Sequence, residues 1–281
     1  MDEIAALLSS PVMTAVAAAF GAIWGSFFNV CIARIPAGQS IVRPGSRCGS
    51  CGTPIRAADN IPLISYFLLR GRCRACKQPF SARYPLVEAL AALIAVALWM
   101  TFVSGDPTEA PAVRIARFAA YFAFAGVLLV LSFIDLATMR LPDVITLPAI
   151  PVFFLAGFAI HQAPWLERLI GAGAGYLFLR LIADFYYYVL KREALGLGDA
   201  KLLAVIGALL GWRALLFVLI VGGFAGAFIS LPIILVARRR RPQEAAGEPL
   251  RYAQIPFGPF LAGAALLYVF VGARLLALLA G

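Results

Sequence analysis

The stretch VMTAVAAAFGAIWGSFFNVCIA, Val12–Ala33, runs for 22 residues without a charged side chain. A helix needs about 20 predominantly apolar residues to cross the hydrocarbon core of a bilayer. Further uncharged runs of at least this length occur, among them Ala214–Ala237 and Tyr252–Ala273. Hydrophobic residues make up 62% of the 281-residue chain, whereas a soluble domain has about 45–50%. The sequence therefore predicts an all-α polytopic membrane protein.

The hydrophobic runs predict about eight transmembrane helices. Their approximate bounds are residues 12–33, 84–104, 115–135, 143–162, 167–190, 198–212, 214–237 and 257–279. The first run could resemble a signal peptide, but it is too long, and Asp2 and Glu3 stand where basic residues would precede one. We therefore expect it to be a retained helix.

One polar insertion, Arg34–Arg83, separates the first two predicted helices. It contains nine Lys or Arg residues and a single acid, Asp59. Because cytoplasmic loops carry an excess of basic residues, we expect this insertion and the loops at 136–142, 191–197 and 238–256 to be cytoplasmic, with both termini outside. The net charge of +10 is then explained by topology and by contacts with lipid headgroups, and we expect no nucleic-acid partner.

Four of the five cysteines lie in this insertion as two pairs, C48-G-S-C51 and C73-R-A-C76, with 21 residues between them. Two such knuckles can close a tetrahedral four-thiolate zinc site. Two disulfides are one alternative, although the cytoplasm is a reducing compartment. A redox-active cysteine pair is another. We expect a structural zinc without an open position for water, and Cys31 to be a small buried hydrophobe. The predicted ligands are Cys48, Cys51, Cys73 and Cys76.

Several catalytic patterns are missing from the sequence. Its one histidine, His161, falls at the outer end of the fourth predicted helix, where an interfacial residue is expected. There is no HExxH zinc-protease motif, no GxSxG nucleophile elbow and no phosphate-binding GxxxxGK[ST] loop. Carboxylates remain as the candidate catalytic groups.

Two aspartates fall at predicted helix ends on the cytoplasmic side. Asp135 ends the third predicted helix, and Asp199 begins the sixth within GLGDAKLL. Facing carboxylates can share one proton, so that one activates water and the other protonates a scissile amide. A helix N-cap is the simpler alternative for Asp199. Because a helix N-terminus favours an anion and a C-terminus disfavours one, we expect Asp199 to ionise more readily than Asp135.

The two glycines before Asp199, Gly196 and Gly198, permit positive φ and close backbone approach. We expect them to form a loop against which an extended substrate segment lies. Lys201, two residues after the acid, is a candidate interfacial anchor.

Three other charged positions have different expected roles. Asp143 follows Leu-Pro and is expected to cap the fourth helix. Arg180 and Asp184 are four residues apart on one helix face and predict an intramembrane ion pair. Glu88 is expected either at the membrane interface or in a cytoplasmic-side pocket.

In the order and separation of its motifs, the chain resembles the bacterial type IV prepilin peptidases, the leader peptidase/N-methyltransferases of the GxGD aspartyl class. The resemblance includes the paired Cys-x-x-Cys knuckles and GLGDAKLL. Its other blocks are GSFFNVCIARIP (Gly25–Pro36), NIPLISYFLLRGRC (Asn60–Cys73), RYPLVEAL (Arg83–Leu90), FIDLATMRLPD (Phe133–Asp143) and PFGPFLA (Pro256–Ala262).

The resemblance implies that Asp135 and Asp199 are the catalytic pair and that Asp143 is not part of it. It implies as substrates type IV prepilins or type II secretion pseudopilins, whose leader is removed at the cytoplasmic face of the bacterial inner membrane. The new N-terminal amine would then be methylated with S-adenosylmethionine. In the family, the first cytoplasmic loop is associated with methylation, but no GxGxxG-type loop identifies the cofactor-binding residues here.

These expectations divide the chain into three parts. Residues 1–33 form the first transmembrane helix, residues 34–83 a cytoplasmic zinc domain linked to methyl transfer, and residues 84–281 a transmembrane aspartyl peptidase domain. The presence of all four cysteines favours the bifunctional form over a peptidase alone. A transporter with Arg180 and Asp184 as a polar relay, and a non-enzymatic pilin-binding assembly factor, are further alternatives.

Overall fold

The computed structural model describes residues 2–105, 108–160, 163–190, 196–240 and 256–280. Within these ranges the regular secondary structure is helical, with two isolated β-bridges and no β-strand, which confirms the predicted all-α class. His161 falls outside the described residues, as do parts of the predicted loops at 191–197 and 238–256.

The α-helices of the described residues are numbered here in chain order. They are α1 (Asp2–Leu8), α2 (Pro11–Arg34), α3 (Ile64–Leu68), α4 (Arg83–Leu98), α5 (Pro111–Thr138), α6 (Asp143–Ile160), α7 (Trp165–Leu190), α8 (Leu197–Leu210), α9 (Trp212–Arg240) and α10 (Gly258–Ala280). A π-helical segment, Trp99–Ser104, extends α4, and a short 3-10 turn spans Ala57–Asp59.

Six helices in the described part of the chain are long and apolar enough to cross a membrane: α2, α4 with its π-helical extension, α5, α6, α7 and the first 21 residues of α9. The chain is therefore a multi-pass membrane protein. The predicted count of about eight is not matched. Helix α10 has 23 residues, but α8 has only 14, which is about 21 Å against a hydrocarbon core of about 30 Å.

Glycine ends α8 before it reaches membrane length. Gly211 follows its last residue with φ of +83°, and its N–H donates to the Gly207 carbonyl over 2.9 Å. A glycine at positive φ is a common helix stop, because other residues have a steric cost there. Trp212 then begins α9. The predicted span at 198–212 is thus a short helix, and the prediction that both termini lie outside, which counted it as a crossing, stays a prediction.

The chain divides into two compact units, Met1–Val130 and Leu131–Gly281, with the boundary inside α5. In the first unit α2 packs on α4 through glycines. A methyl group at Gly21 would lie 2.5 Å from the Ala91 carbonyl oxygen, and one at Gly25 would lie 2.6 Å from the Glu88 Cα. Such contacts let two helix backbones approach closely in a membrane. The predicted parts 1–33, 34–83 and 84–281 concern function and stay a prediction.

In the second unit α8 is the central helix. It packs against α6, α7, α9 and α10, and the side chains of Leu202, Leu203 and Ile206 are completely buried. Its closest neighbour is α7, because Gly207 of α8 faces Gly171 backbone to backbone. The small residues spaced four apart on these two helices therefore serve close packing.

Gly175 offers a matched test of this packing. A methyl group there would lie 2.7 Å from the Leu203 carbonyl oxygen, whereas one at Gly173, on the same helix, meets nothing within 4 Å. We expect Gly175→Ala to lower the free energy of unfolding by about 1–3 kcal/mol through overpacking. Gly173→Ala is expected to be neutral or slightly stabilising, because alanine is the better helix former. Thermal melting in detergent measures both; equal melting temperatures would contradict the packing described here.

Candidate functional site

Asp135 lies in the last turn of α5 and is 5% exposed. Its Oδ2 atom accepts a hydrogen bond of 2.9 Å from the backbone N–H of Gly258, the first residue of α10. Four residues later Met139 takes a positive φ of 52°, and its N–H donates to the Asp135 carbonyl. The end of α5 and the start of α10 together fix the position of this carboxyl group.

Gly258 must be a glycine for this contact to exist. A methyl group on its Cα would lie 2.8 Å from Oδ2 of Asp135, closer than carbon and oxygen approach without a shift. Sequence reasoning gave this residue no role. Its signal was present in the block PFGPFLA, where glycine stands immediately before a proline at a predicted helix start.

Asp199 lies in the first turn of α8, a helix too short to cross the membrane. Burial, together with the nearby charge of Asp135, raises the pKa of its carboxyl group to about 7. The structure therefore brings the two predicted acids within electrostatic reach of one another. The expectation that Asp199 ionises more readily than Asp135 stays a prediction, although burial acts against it at Asp199. A helix end contributes only about 0.3–1 kcal/mol, less than about one pKa unit, and burial outweighs it.

The two glycines before Asp199 lack the conformation expected of them. Gly196 has φ of −71° and precedes α8, and Gly198 is helical. A methyl group at Gly198 would lie 3.0 Å from the Cβ of Leu141, whereas one at Gly196 would meet no atom within 4 Å. Gly198 thus allows α8 to pack against Leu141, and Gly196 leaves open space at the start of α8. Their role in holding substrate stays a prediction.

Asp143 and Lys201 form an ion pair that links the first turns of α6 and α8. At the start of α6 the N–H groups of Ile145 and Thr146 donate to the carbonyl of Pro142. Asp143 is therefore the first residue of α6 with its carboxylate on Lys201, and not the predicted cap. Lys201, expected to be an anchor, instead holds α8 to α6.

The predicted ion pair on α7 is confirmed. The Nε atom of Arg180 lies 2.9 Å from Oδ2 of Asp184, and the two side chains are 40% and 39% exposed. Each charge is neutralised by its partner one helical turn away. The ion pair therefore requires no further polar group.

The four predicted metal ligands come together in the first unit. Their Sγ atoms all lie within 4.8 Å of one another, and those of Cys48 and Cys76 are 3.8 Å apart. Tetrahedral zinc with Zn–S bonds of about 2.3 Å requires sulfur atoms about 3.8 Å apart. None of the cysteines forms a disulfide, and Cys31 is buried in α2 as expected. The cluster could bind a metal ion.

The two knuckles share one backbone design. In the first, the Cys48 N–H donates to Thr53 and the Cys48 carbonyl accepts from Gly52; in the second, Cys73 makes the same contacts with Gln78 and Lys77. The residue after each second cysteine has positive φ, 70° at Gly52 and 60° at Lys77. An isolated β-bridge closes each knuckle, Arg47 with Pro54 and Arg72 with Pro79. Each thiol pair is thus held by backbone contacts of its own loop.

Glu88, which the sequence left undecided, is buried near the start of α4. Its Oε2 atom accepts a 2.7 Å hydrogen bond from the backbone N–H of Leu63. The residue lines a cavity of about 930 Å³ within the first unit. Of the two expected environments, the structure selects the pocket.

Two protein-family profiles match successive parts of the chain. The profile of the bacterial peptidase A24 N-terminal domain matches residues 19–102. The profile of the type IV leader peptidase family matches residues 122–231, which include Asp135 and Asp199. No solved structure matches the chain.

Similar curated proteins carry the name prepilin leader peptidase/N-methyltransferase. One from Aeromonas hydrophila is 37% identical over 86% of this chain and 85% of its own length. One from Myxococcus xanthus is 40% identical over 78% of this chain and 62% of its own length. One from Burkholderia pseudomallei is 37% identical over 98% of this chain and 91% of its own length. These matches confirm the resemblance inferred from the sequence blocks: the chain belongs to the type IV leader peptidase family.

Proposed function

We propose that this protein is a membrane aspartyl endopeptidase that removes the leader from type IV prepilins or type II secretion pseudopilins, and then N-methylates the new amino terminus. Membership of the leader peptidase family supports this function, as do the names of the relatives. The observation that carries it is the approach of Asp135 and Asp199, at the ends of α5 and α8, in a unit built around α8.

The two acids have unlike environments and therefore unlike roles. With a pKa of about 7, Asp199 holds the proton that the pair shares. Asp135, oriented by the N–H of Gly258, accepts a proton from the attacking water. Asp199 then donates its proton to the nitrogen of the scissile amide, which leaves as an amine. In this way two carboxyl groups supply both the base and the acid.

The site suits a substrate with one apolar and one polar end. A prepilin carries a short basic leader followed by a hydrophobic helix, so the bond to be cut lies at the edge of the membrane. The Lys and Arg excess of the polar insertion supports an inner-membrane protein whose active site faces the cytoplasm. S-adenosylmethionine, when bound, supplies the methyl group for the second activity.

The four-cysteine cluster is assigned a structural zinc. Hydrogen bonding with the side chain and backbone of Thr53 lowers the pKa of the Cys51 thiol to about 6, which favours the thiolate form that binds metal. Four thiolates leave no coordination position for water, so the ion takes no part in hydrolysis. It holds together a polar insertion in which several large apolar residues are exposed, among them Val42, Phe67 and Leu68.

Substitution of either acid tests the dyad. We expect Asp135→Asn and Asp199→Asn each to lower kcat for leader cleavage by roughly 10³-fold, because each removes one proton transfer. The measurement is cleavage of a prepilin-like substrate by the purified protein in detergent. Asp184→Asn, which removes a carboxylate paired on α7, is the control and should cleave normally. Full activity in either dyad variant would refute the assignment.

Gly258→Ala tests how Asp135 is oriented. Its new methyl group would meet Oδ2 of Asp135 at 2.8 Å, whereas Gly263, on the same helix, has open space. We expect Gly258→Ala to lower kcat by about 10- to 100-fold, because displacement of a catalytic group by about 1 Å has such an effect. Gly263→Ala should retain the wild-type rate and melting temperature. Equal rates for the two variants would show that the Gly258 contact is irrelevant to catalysis.

Metal content tests the cysteine cluster. Elemental analysis of the purified protein should find about one zinc per chain. Cys48→Ser should lose it because a thiolate ligand is gone, while Cys31→Ser, altered in the buried part of α2, should keep it. Zinc retained by Cys48→Ser would argue against ligation by all four cysteines.

A further inference from the structure

The cavity in the first unit has no part in the proposed cleavage. Its volume of about 930 Å³ is at the upper end of the range typical of ligand sites. Helices α2 and α4, the segment before α3 and the cysteine knuckles all contribute to its walls. Its lining includes Asn29, Tyr66, Arg72, Phe80, Tyr84 and Glu88.

Glu88 places a buried carboxylate on the wall. Its side chain accepts hydrogen bonds from the Leu63 N–H and from Ser26. No Lys or Arg in the described part of the chain forms an ion pair with it. An ionised carboxylate can accept about four hydrogen bonds, so Glu88 has acceptor capacity left for a ligand. A positively charged ligand would also supply the counterion that a buried charge requires.

Asn29 lines the same cavity and carries a buried acceptor without a partner among the described residues. Its side chain is almost fully buried, with the residue 3% exposed. The amide nitrogen donates to the carbonyls of Gly25 and Tyr84, which assigns the amide orientation. The Oδ1 atom is buried and, among the described residues, has no hydrogen-bond partner. A buried acceptor without a donor is costly, and a ligand with N–H or cationic groups would satisfy it.

The backbone at Leu63 is strained in a way that positions Glu88. Leu63 has φ of 62° and ψ of −54°, and the N–H of Ile64 donates to the Pro62 carbonyl over 2.6 Å. This is the γ-turn with positive φ, which is rare and unfavourable for a residue with a side chain. Strain of this kind concentrates at ligand sites. Here it directs the Leu63 N–H at the carboxylate and so fixes its orientation in the cavity.

The remaining walls complement two other chemical groups. Tyr66, Phe80 and Tyr84 provide aromatic rings on which a planar heterocycle can stack. Arg47 and Arg72, each directly before the first cysteine of a knuckle, provide guanidinium groups that pair with carboxylates. The cavity thus offers acceptors for a cation, rings for a flat base and donors for a carboxylate.

We propose that this cavity binds the methyl donor S-adenosylmethionine and that Glu88 is the counterion of its positive charge. The donor carries all three complementary groups: a purine ring, a cationic sulfonium beside an ammonium, and a carboxylate. The inference rests on the proposed methyl transfer, because it locates the donor for that activity in the first unit. It also gives Glu88 and Asn29 a binding role independent of the aspartate pair.

The test compares two ligands that differ in charge. S-adenosylhomocysteine lacks the methyl group and the positive charge on sulfur but is otherwise the same molecule. Binding of each to the purified, zinc-loaded, full-length protein is measured by calorimetry without pilin substrate. Glu88→Gln should weaken binding of S-adenosylmethionine by about tenfold or more, and that of S-adenosylhomocysteine by less than about threefold, since only the former loses a charge interaction.

Two other variants make the result specific. Glu167→Gln removes a carboxylate that pairs with Arg213 in the second unit and should leave both affinities unchanged. Phe80→Ala removes an aromatic wall and should weaken both ligands alike, which keeps the cavity testable if Glu88→Gln melts at a lower temperature. Wild-type affinity for both ligands in both cavity variants would overturn the site. An equal loss of both ligands in Glu88→Gln would overturn the counterion role.

The failure of this inference can be told from failure of the proposed function. A wild-type protein that cleaves, methylates and binds the donor, with binding unaffected by Glu88→Gln and Phe80→Ala, would overturn the cavity assignment alone. A wild-type protein that cleaves but neither binds the donor nor methylates would refute the methyltransferase half of the proposed function, and this inference with it.

Discussion

The backbone contact between α7 and α8 is the constraint on which the second unit depends. Gly171 and Gly207 meet without intervening side chains, and Gly175 lies against the Leu203 carbonyl. Side chains at these positions would separate the helices. Because the helices are close, a 14-residue helix that cannot cross a bilayer is held at the centre of its unit by burial on all sides. Its first turn, with Asp199, is thereby fixed beside Asp135.

Position alone would not make two aspartates a catalytic pair; their environments must also differ. Asp135 takes a backbone hydrogen bond from Gly258, whereas burial and the charge of Asp135 keep a proton on Asp199 near neutral pH. Like charges at short range oppose double ionisation. The second unit therefore gives two residues of the same type unlike surroundings, and the Asp143–Lys201 pair links the start of α8, which carries Asp199, to the start of α6.

The first unit contains two clusters of polar groups, the four thiols and the cavity beside them. Two knuckles of matching backbone geometry bring four thiols to metal-binding distance, and an adjacent cavity contains a buried carboxylate and an unsatisfied amide oxygen. Neither arrangement is stable by apolar burial alone, since each concentrates polar groups. The proposed ligands, a metal ion at the thiols and a cationic small molecule at Glu88 and Asn29, would offset this cost.

The sequence by itself determined the features that depend on local patterns. Uncharged runs longer than a bilayer crossing fixed the membrane class, Cys-x-x-Cys spacing predicted a four-cysteine cluster, and Arg180 and Asp184 were bound to meet one helical turn apart. It also singled out Asp135 and Asp199. Only the tertiary structure decided the contact of Gly258 with Asp135, the partner of Lys201 and the cavity around Glu88. These contacts join segments that are distant in the chain. The free energy of each depends on burial in the folded protein, which a local sequence pattern does not predict.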